Sequence, residues 1–191
     1  MLLQIITVST RPGRKGPAVA AWFEQQARAH GRFEIEPVDL ADVNLPLFDE
    51  PEHPRLRKYQ HEHTRRWSGI VSRADAFVFV MPEYNFSPAP SMTNALDYLL
   101  HEWAYKPAGL VSYGGVSGGM RAMQAVKLTL NALRIVPIVE AVVLTSFTKH
   151  IDPATGAFTP EESAGRAAST MLTELHRWAE ALAMLRPPAL R

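Results

Sequence analysis

The chain of 191 residues carries 20 basic and 19 acidic side chains, a net charge of +1. That balance argues against a nucleic-acid surface and against an acidic shuttle that docks on basic partners. Hydrophobic residues make up 47% and charged ones 20%, the mix of one globular domain spanning 1–191, and the absence of cysteine excludes disulfides, thiolate nucleophiles and cysteine-held metals or clusters.

Residues 2–8, apolar and β-branched, predict a first strand; the run is too short for a secretory leader and lacks its basic start. No apolar run reaches membrane-spanning length, so a cytoplasmic protein is expected. The loop Ser9-Thr-Arg-Pro-Gly-Arg-Lys-Gly16 follows. Pro17 then suits the first turn of a helix, Val19, Trp22, Phe23 and Ala27 continue it on one face, and His30-Gly31 closes it. Residues 33–40 alternate as a second strand, which Pro37 places near a sheet edge. Pro46, Pro51 and Pro54 break residues 42–63 into a long surface loop, and Trp67, Ile70 and Val71 mark a helix over 60–74.

Ala76-Phe-Val-Phe-Val80 reads as a buried third strand. The loop Met81-Pro-Glu-Tyr-Asn-Phe-Ser-Pro-Ala-Pro90 follows, pre-shaped by prolines that each fix a φ angle. Met92, Ala95, Leu96, Leu99 and Leu100 give residues 91–100 helical spacing. A fourth strand over 108–113 runs into Gly114-Gly-Val-Ser-Gly-Gly119, then a helix over 120–134 that is apolar most of the way round, and a fifth strand over 137–144. Thr159 as N-cap, Pro160 at the first position and Glu161-Glu162 predict a last helix start. Its expected buried stripe is Ala164, Ala168, Met171, Leu175, Trp178, Leu182 and Leu185. Strand and helix alternate five times, which predicts a doubly wound parallel α/β sheet in three layers. The flavodoxin-like order 2-1-3-4-5 suits it, since no G-x-G-x-x-G or P-loop is present.

In such a sheet the loops after strands one, three and four open on one edge. The first offers the hydroxyls of Ser9 and Thr10, the cations Arg11, Arg14 and Lys15, a helix amino-terminus, and Gly13 and Gly16 for close approach: a phosphate site, against the alternative of a solvated basic turn. The second offers Glu83, Tyr84 and Asn85 to a planar heteroaromatic ring, with core packing the alternative for Tyr84 and Phe86. The third brings main-chain amides near a ligand at Gly114 and Gly115, while Gly118 and Gly119 suit a turn and a helix cap.

Together Ser9-Thr-Arg-Pro-Gly-Arg, Pro82-Glu-Tyr-Asn-Phe-Ser and Ser112-Tyr-Gly-Gly-Val-Ser-Gly-Gly resemble the NADPH-dependent FMN reductase family, which includes flavodoxin-like quinone, azo and chromate reductases, over residues 1 to about 143. The resemblance implies FMN held non-covalently, its phosphate on Ser9, Thr10, Arg11 and Arg14, its ring against Pro82, Glu83, Tyr84, Asn85, Tyr113, Gly114 and Gly115. Gly16, Phe86 and Ser112 complete the candidate cofactor-binding set. It also implies electrons drawn from NADPH or NADH and passed to quinones, flavins or other small acceptors, with the amides of Gly114 and Gly115 at the flavin N1 edge and no side-chain catalytic residue. A homodimer or homotetramer is expected, with helices 120–134 and 92–100 as its contact. Arg14-Lys15 is a heavy basic load for one monophosphate.

Two other readings stay open on the sequence: an FMN-binding electron carrier without its own NAD(P)H activity, and a phosphate-ester hydrolase with Ser9 or Ser87 as nucleophile. His61-Glu62-His63 is expected on a helix, where the two rings would point apart, so no metal site is assigned.

Overall fold

Five strands lie side by side and all parallel, in the order β2-β1-β3-β4-β5. They are β1 (Leu2–Thr7), β2 (Glu34–Asp39), β3 (Ala76–Pro82), β4 (Pro107–Tyr113) and β5 (Val136–Leu144). Every residue of β3 and β4 is buried, as a parallel sheet covered on both faces requires. The outer strands β2 and β5 mix buried and exposed positions, and Pro37 sits on β2 opposite Ile5, where a missing N–H is tolerated. The computed structural model describes residues 1–186, so the last five residues of the expected 1–191 domain lie outside the described residues.

Helices α1 (Gly16–His30) and α6 (Glu162–Ala183) cover one face, burying Val19, Phe23, Met171 and Leu175 against Leu3, Ile5 and Val78. On the other face lie the short α2 (Leu40–Val43), α3 (Glu62–Arg73), α4 (Pro90–Asp97) and α5 (Met120–Ala132), where Trp67, Leu96 and Val126 pack with Ile6, Phe77 and Phe79. The doubly wound α/β architecture with order 2-1-3-4-5 is therefore the observed one.

Several local expectations need correction. Helix α6 starts at Glu162, with Glu161 at the N-cap and no side-chain cap bond. Thr159 instead donates its amide to His150 O, which holds it and Pro160 outside the helix. The buried face of α6 is Ala168, Met171, Leu172, Leu175, Ala179 and Leu182. Trp178 is exposed, because the face that meets β4 and β5 lies one residue away from it on the helical wheel, and Leu185 is exposed beyond the end of α6. Helix α5 buries only Ala122, Met123, Val126 and Leu130; Leu128, 78% exposed, points outward. Helix α4 ends at Asp97 and spends Met92 and Leu96 on the chain's own core.

The stretch after β2 is more than a surface loop. Besides α2 it holds a 3₁₀ turn, Pro54–Leu56, and it docks by specific bonds. Buried Glu50 accepts from the amides of Gln60 (2.8 Å) and His61 (3.0 Å), capping the start of α3. Tyr98 Oη donates to Asp49 at 3.0 Å from below. Since α3 begins at Glu62, His61 is outside the helix in extended conformation. Its ring therefore stacks on His63 at 5.1 Å rather than pointing away, and His63 meets Asp49 at 3.0 Å.

Candidate cofactor site

The ends of β1, β3 and β4 are tied together before any ligand enters. Val8 donates its amide to Val80 O (3.1 Å), Glu83 to Tyr113 O (3.3 Å), and Ser91 Oγ reaches back to Val8 O at 2.6 Å. Tyr113 Oη donates to Ser9 Oγ at 3.2 Å, linking the first and fourth strand ends beneath the surface. Burial pushes the Tyr113 hydroxyl up to about 12, so it stays a neutral donor. Gly16 is required behind this bond: a Cβ there would stand 2.3 Å from Ser9 Oγ and 2.7 Å from Tyr113 Oη. Ser9 is thus fully buried, its hydroxyl held from below.

Two arginines of the first loop divide the work. Arg14 Nη1 donates to Asp39 Oδ1 and to Ser9 O, both at 2.6 Å, so this cation braces the loop against edge strand β2. The hydrogen bond to Asp39 holds its pKa above the usual value. Arg11 is exposed and makes only a 3.5 Å contact with the neighbouring Pro12 carbonyl. Arg11, Thr10 and Lys15 therefore stand open at the amino-terminus of the 15-residue helix α1, whose first turn contains no acidic residue. Beside Thr10 a cleft of about 420 Å³ runs between Leu40, Asn44, Ser91 and Asn94.

The loop after β3 is a two-residue hairpin turn. Tyr84 and Ser87 exchange amide-to-carbonyl bonds at 2.9 and 3.0 Å, and Asn85 and Phe86 between them have φ of 50° and 67°. Positive φ at both centres defines a type I′ turn, which asparagine accepts and glycine favours. A bulky residue there costs about 1–2 kcal/mol of backbone strain. Phe86 accepts that strain while 60% exposed, with the Arg121 guanidinium 3.8 Å from its ring centre. Tyr84 is part-buried against the core. The Glu83 carboxylate is held by the protein itself. It ion-pairs with Arg121 and accepts from Ser117 Oγ (3.1 Å) and the Arg121 amide (3.2 Å) at the start of α5. Arg121 is the main reason its pKa lies below the usual carboxylate range.

In the glycine loop, Ser112 turns its hydroxyl inward toward Met123 Sδ at 4.0 Å, the direction strand alternation dictates. The Gly114 amide donates to Leu144 O at 3.3 Å, continuing the ladder with β5. Gly115 is exposed, no atom lies within 4 Å of where its Cβ would stand, and its amide has no protein partner among the described residues. Of the two expected amides, Gly115 alone is left facing open space.

These residues fit a phosphate-bearing planar cofactor. An uncommitted guanidinium and hydroxyl at a helix start lie at one end and a glycine surface with a free amide at the other. The sequence reading missed Arg121, Asp39 and Ser91, each of which holds a loop in place from another element. The family model for NADPH-dependent FMN reductases matches residues 1–149.

The chain belongs to the NADPH-dependent FMN reductase family.

Membership makes it an NAD(P)H-dependent flavin oxidoreductase. It is 36% identical to an NAD(P)H-dependent FMN reductase of Schizosaccharomyces pombe over 170 residues, 81% of this chain and 85% of the yeast protein. A probable NADPH:quinone oxidoreductase of rice, Oryza sativa, is 49% identical over 92 residues, 47% of this chain and 43% of the rice protein. In fold it is similar to the flavoenzyme NAD(P)H:(acceptor) oxidoreductase FerB of Paracoccus denitrificans, with a TM-score of 0.74 at 21% identity over 94% of this chain and 97% of that one. No helix among the described residues is long and apolar enough to cross a membrane.

Proposed function

We propose that this FMN reductase family member holds FMN on the converged loops of β1, β3 and β4 and uses NADPH or NADH to reduce quinones, free flavins or comparable small acceptors. The observation that carries the reading is the buried Tyr113–Ser9 bond, which fixes the phosphate loop and the glycine loop as one rigid edge. Arg11, Thr10 and the start of α1 would hold the phosphate through charge-assisted bonds, with Arg14 and Asp39 setting the loop's shape. The turn at Tyr84 and Asn85 and the open backbone at Gly115 would receive the ring. The free Gly115 amide is a fixed dipole suited to an electron-rich ring edge. Bound FMN itself supplies the reversible two-electron chemistry.

No side chain in the site is poised as acid or base: Glu83 is committed to Arg121, and Tyr113 is a buried neutral donor. Ser9 likewise has no histidine hydrogen-bonded to its hydroxyl among the described residues, so a hydrolase reading gains no support from the geometry. The test is the visible spectrum of purified protein, with flavin absorption bleached by NADPH in the absence of air. A colourless protein overturns the proposal, and a yellow one that NADPH leaves unbleached restores the carrier reading. Parallel double-reciprocal plots are expected in steady state; intersecting lines count against alternating occupancy of one site.

The proposal includes a single FMN-binding domain, a cytoplasmic location that fractionation checks, and assembly as a homodimer or homotetramer. Exposed Leu47, Phe48 and Leu56 on the stretch after β2 favour assembly, together with outward Leu128. Sedimentation as a monomer at micromolar concentration would reject it.

A further inference from the structure

The hairpin turn after β3 holds a conformation that its own residues do not favour. Glycine is the natural second residue of a type I′ turn, yet Phe86 stands there at φ 67°. Such a turn persists only where its neighbours over-determine it. Arg121, the second residue of α5, grips it at two points. Its guanidinium lies 3.8 Å from the centre of the Phe86 ring, and its Nη2 ion-pairs with Glu83, the residue that leads into the turn. The same Nη2 donates to Ser117 Oγ at 3.1 Å, and that hydroxyl donates to Glu83 Oε2 at 3.1 Å. The Arg121 amide closes the circuit on Glu83 at 3.2 Å. Ser117 belongs to the glycine loop, two residues after Gly115. One cation thus ties the loop after β3 to the loop after β4, through a carboxylate side chain that is only 8% exposed.

We propose that Arg121 is a positioning residue: through Glu83, Ser117 and the Phe86 ring it holds the Tyr84-Asn85 turn at a fixed spacing from the glycine loop, ready for the flavin ring. The proposal rests on the flavin reading above and adds to it what keeps the ring-side edge in shape before the ligand arrives. Released, the turn relaxes toward backbone conformations that phenylalanine prefers. The binding-competent fraction of the apoprotein then falls, and apparent affinity falls in proportion. The phosphate end is braced separately, by Arg14 on Asp39 and Tyr113 on Ser9, so the loss belongs to the ring end.

The experiment titrates the apoproteins of wild type, Glu83→Gln, Arg121→Met and the double variant with FMN and with riboflavin, read by flavin fluorescence. Arg121→Met should raise both dissociation constants about fivefold, Glu83→Gln less, and the double variant no more than Arg121→Met, as for groups that act as a unit. Riboflavin lacks the phosphate, so equal losses for the two ligands locate the fault at the ring. Adding Phe86→Gly to Arg121→Met should restore most of the affinity, because Asn-Gly takes a type I′ turn unaided. Apoprotein melting temperatures should stay close to wild type, since the ion pair lies at the surface. Unchanged affinity in Arg121→Met overturns the proposal. So does a loss that Glu83→Gln does not share and Phe86→Gly does not repair, which would make the guanidinium a direct flavin contact. A large fall in melting temperature, or a changed sedimentation coefficient, overturns it in favour of a structural or subunit-contact role. Each of these outcomes leaves the flavin reading intact, whereas a wild-type apoprotein that fails to bind FMN overturns both.

Discussion

The two ends of the sheet are built on opposite plans. At the amino end the charged groups Asp75, Lys106 and Arg186 are tied into the fold. Asp75 accepts from the Leu2 amide (2.8 Å) and Arg186 Nη1 (2.6 Å), and buried Lys106 donates to Val71 O (2.8 Å) and Ser72 O (3.1 Å) at the end of α3. Just above it Trp103, Trp67 and Phe77 pack edge-to-face at 5.0 and 5.8 Å. At the carboxyl end the chain tolerates a strained Phe86, an exposed Val116, an unpaired Gly115 amide and a lone Arg11. The tied charges mark one end and the open groups the other, while positive φ occurs at both, as at Tyr105 and Arg134.

If the ends are independent in this way, damage at the amino end should cost folding and spare the cofactor. Trp103→Ala, emptying a site that is 1% exposed, is expected to cost about 4 kcal/mol in urea unfolding. The flavin dissociation constant should stay within twofold below the transition; a parallel fall in affinity would break the comparison.

Next in size is a pH effect. Burial brings the Lys106 ammonium down to about 7 from its ordinary 10.5, so between those values the unfolded chain binds more protons than the native one. The Lys106 contribution to native stability is smallest below pH 7 and grows as pH rises toward 10.5, by about 3 kcal/mol between pH 7 and 9.5. Lys106→Met should flatten that rise, and an unaltered slope would show that other groups cause it.

At the carboxyl end the ranking inverts. Arg11→Ala is expected to weaken FMN binding by about 2 kcal/mol, one charged hydrogen bond, with the melting temperature of the apoprotein unmoved. Arg14→Ala, which breaks a part-exposed pair with Asp39, should cost about 1 kcal/mol or less of stability and less affinity than Arg11→Ala. Titration of the two apoproteins with FMN separates them. Equal losses would mean that the two cations share the phosphate and that the division of labour is wrong.

The strands and their order were legible because a parallel sheet buried on both faces writes itself as short apolar runs, such as Ala76-Phe-Val-Phe-Val80, separated by helical spacing. The three site loops were legible for the same reason: they begin where those runs stop. What could not be read were contacts between distant elements. Arg11 and Arg14 look alike in sequence; only Asp39, 25 residues beyond Arg14, tells them apart. Glu83 looks like a ligand group until Arg121, 38 residues later, claims it. Helix phase was off by one residue at Trp178 because Leu172 and Ala179, not the largest aromatic, define the buried side of α6. The stretch after β2 has no periodicity, and its anchors, Glu50 and Tyr98, work only through folded geometry.

The bond between Tyr113 and Ser9 crosses under β3, joining two segments 104 positions apart in the chain. The first-loop end of the proposed site is therefore shaped by a residue that β4 supplies. A nascent or truncated polypeptide ending before that strand would have its phosphate loop without the tyrosine that shapes it. If FMN binds as proposed, a chain cut before β4 is expected to bind it more weakly than the whole chain.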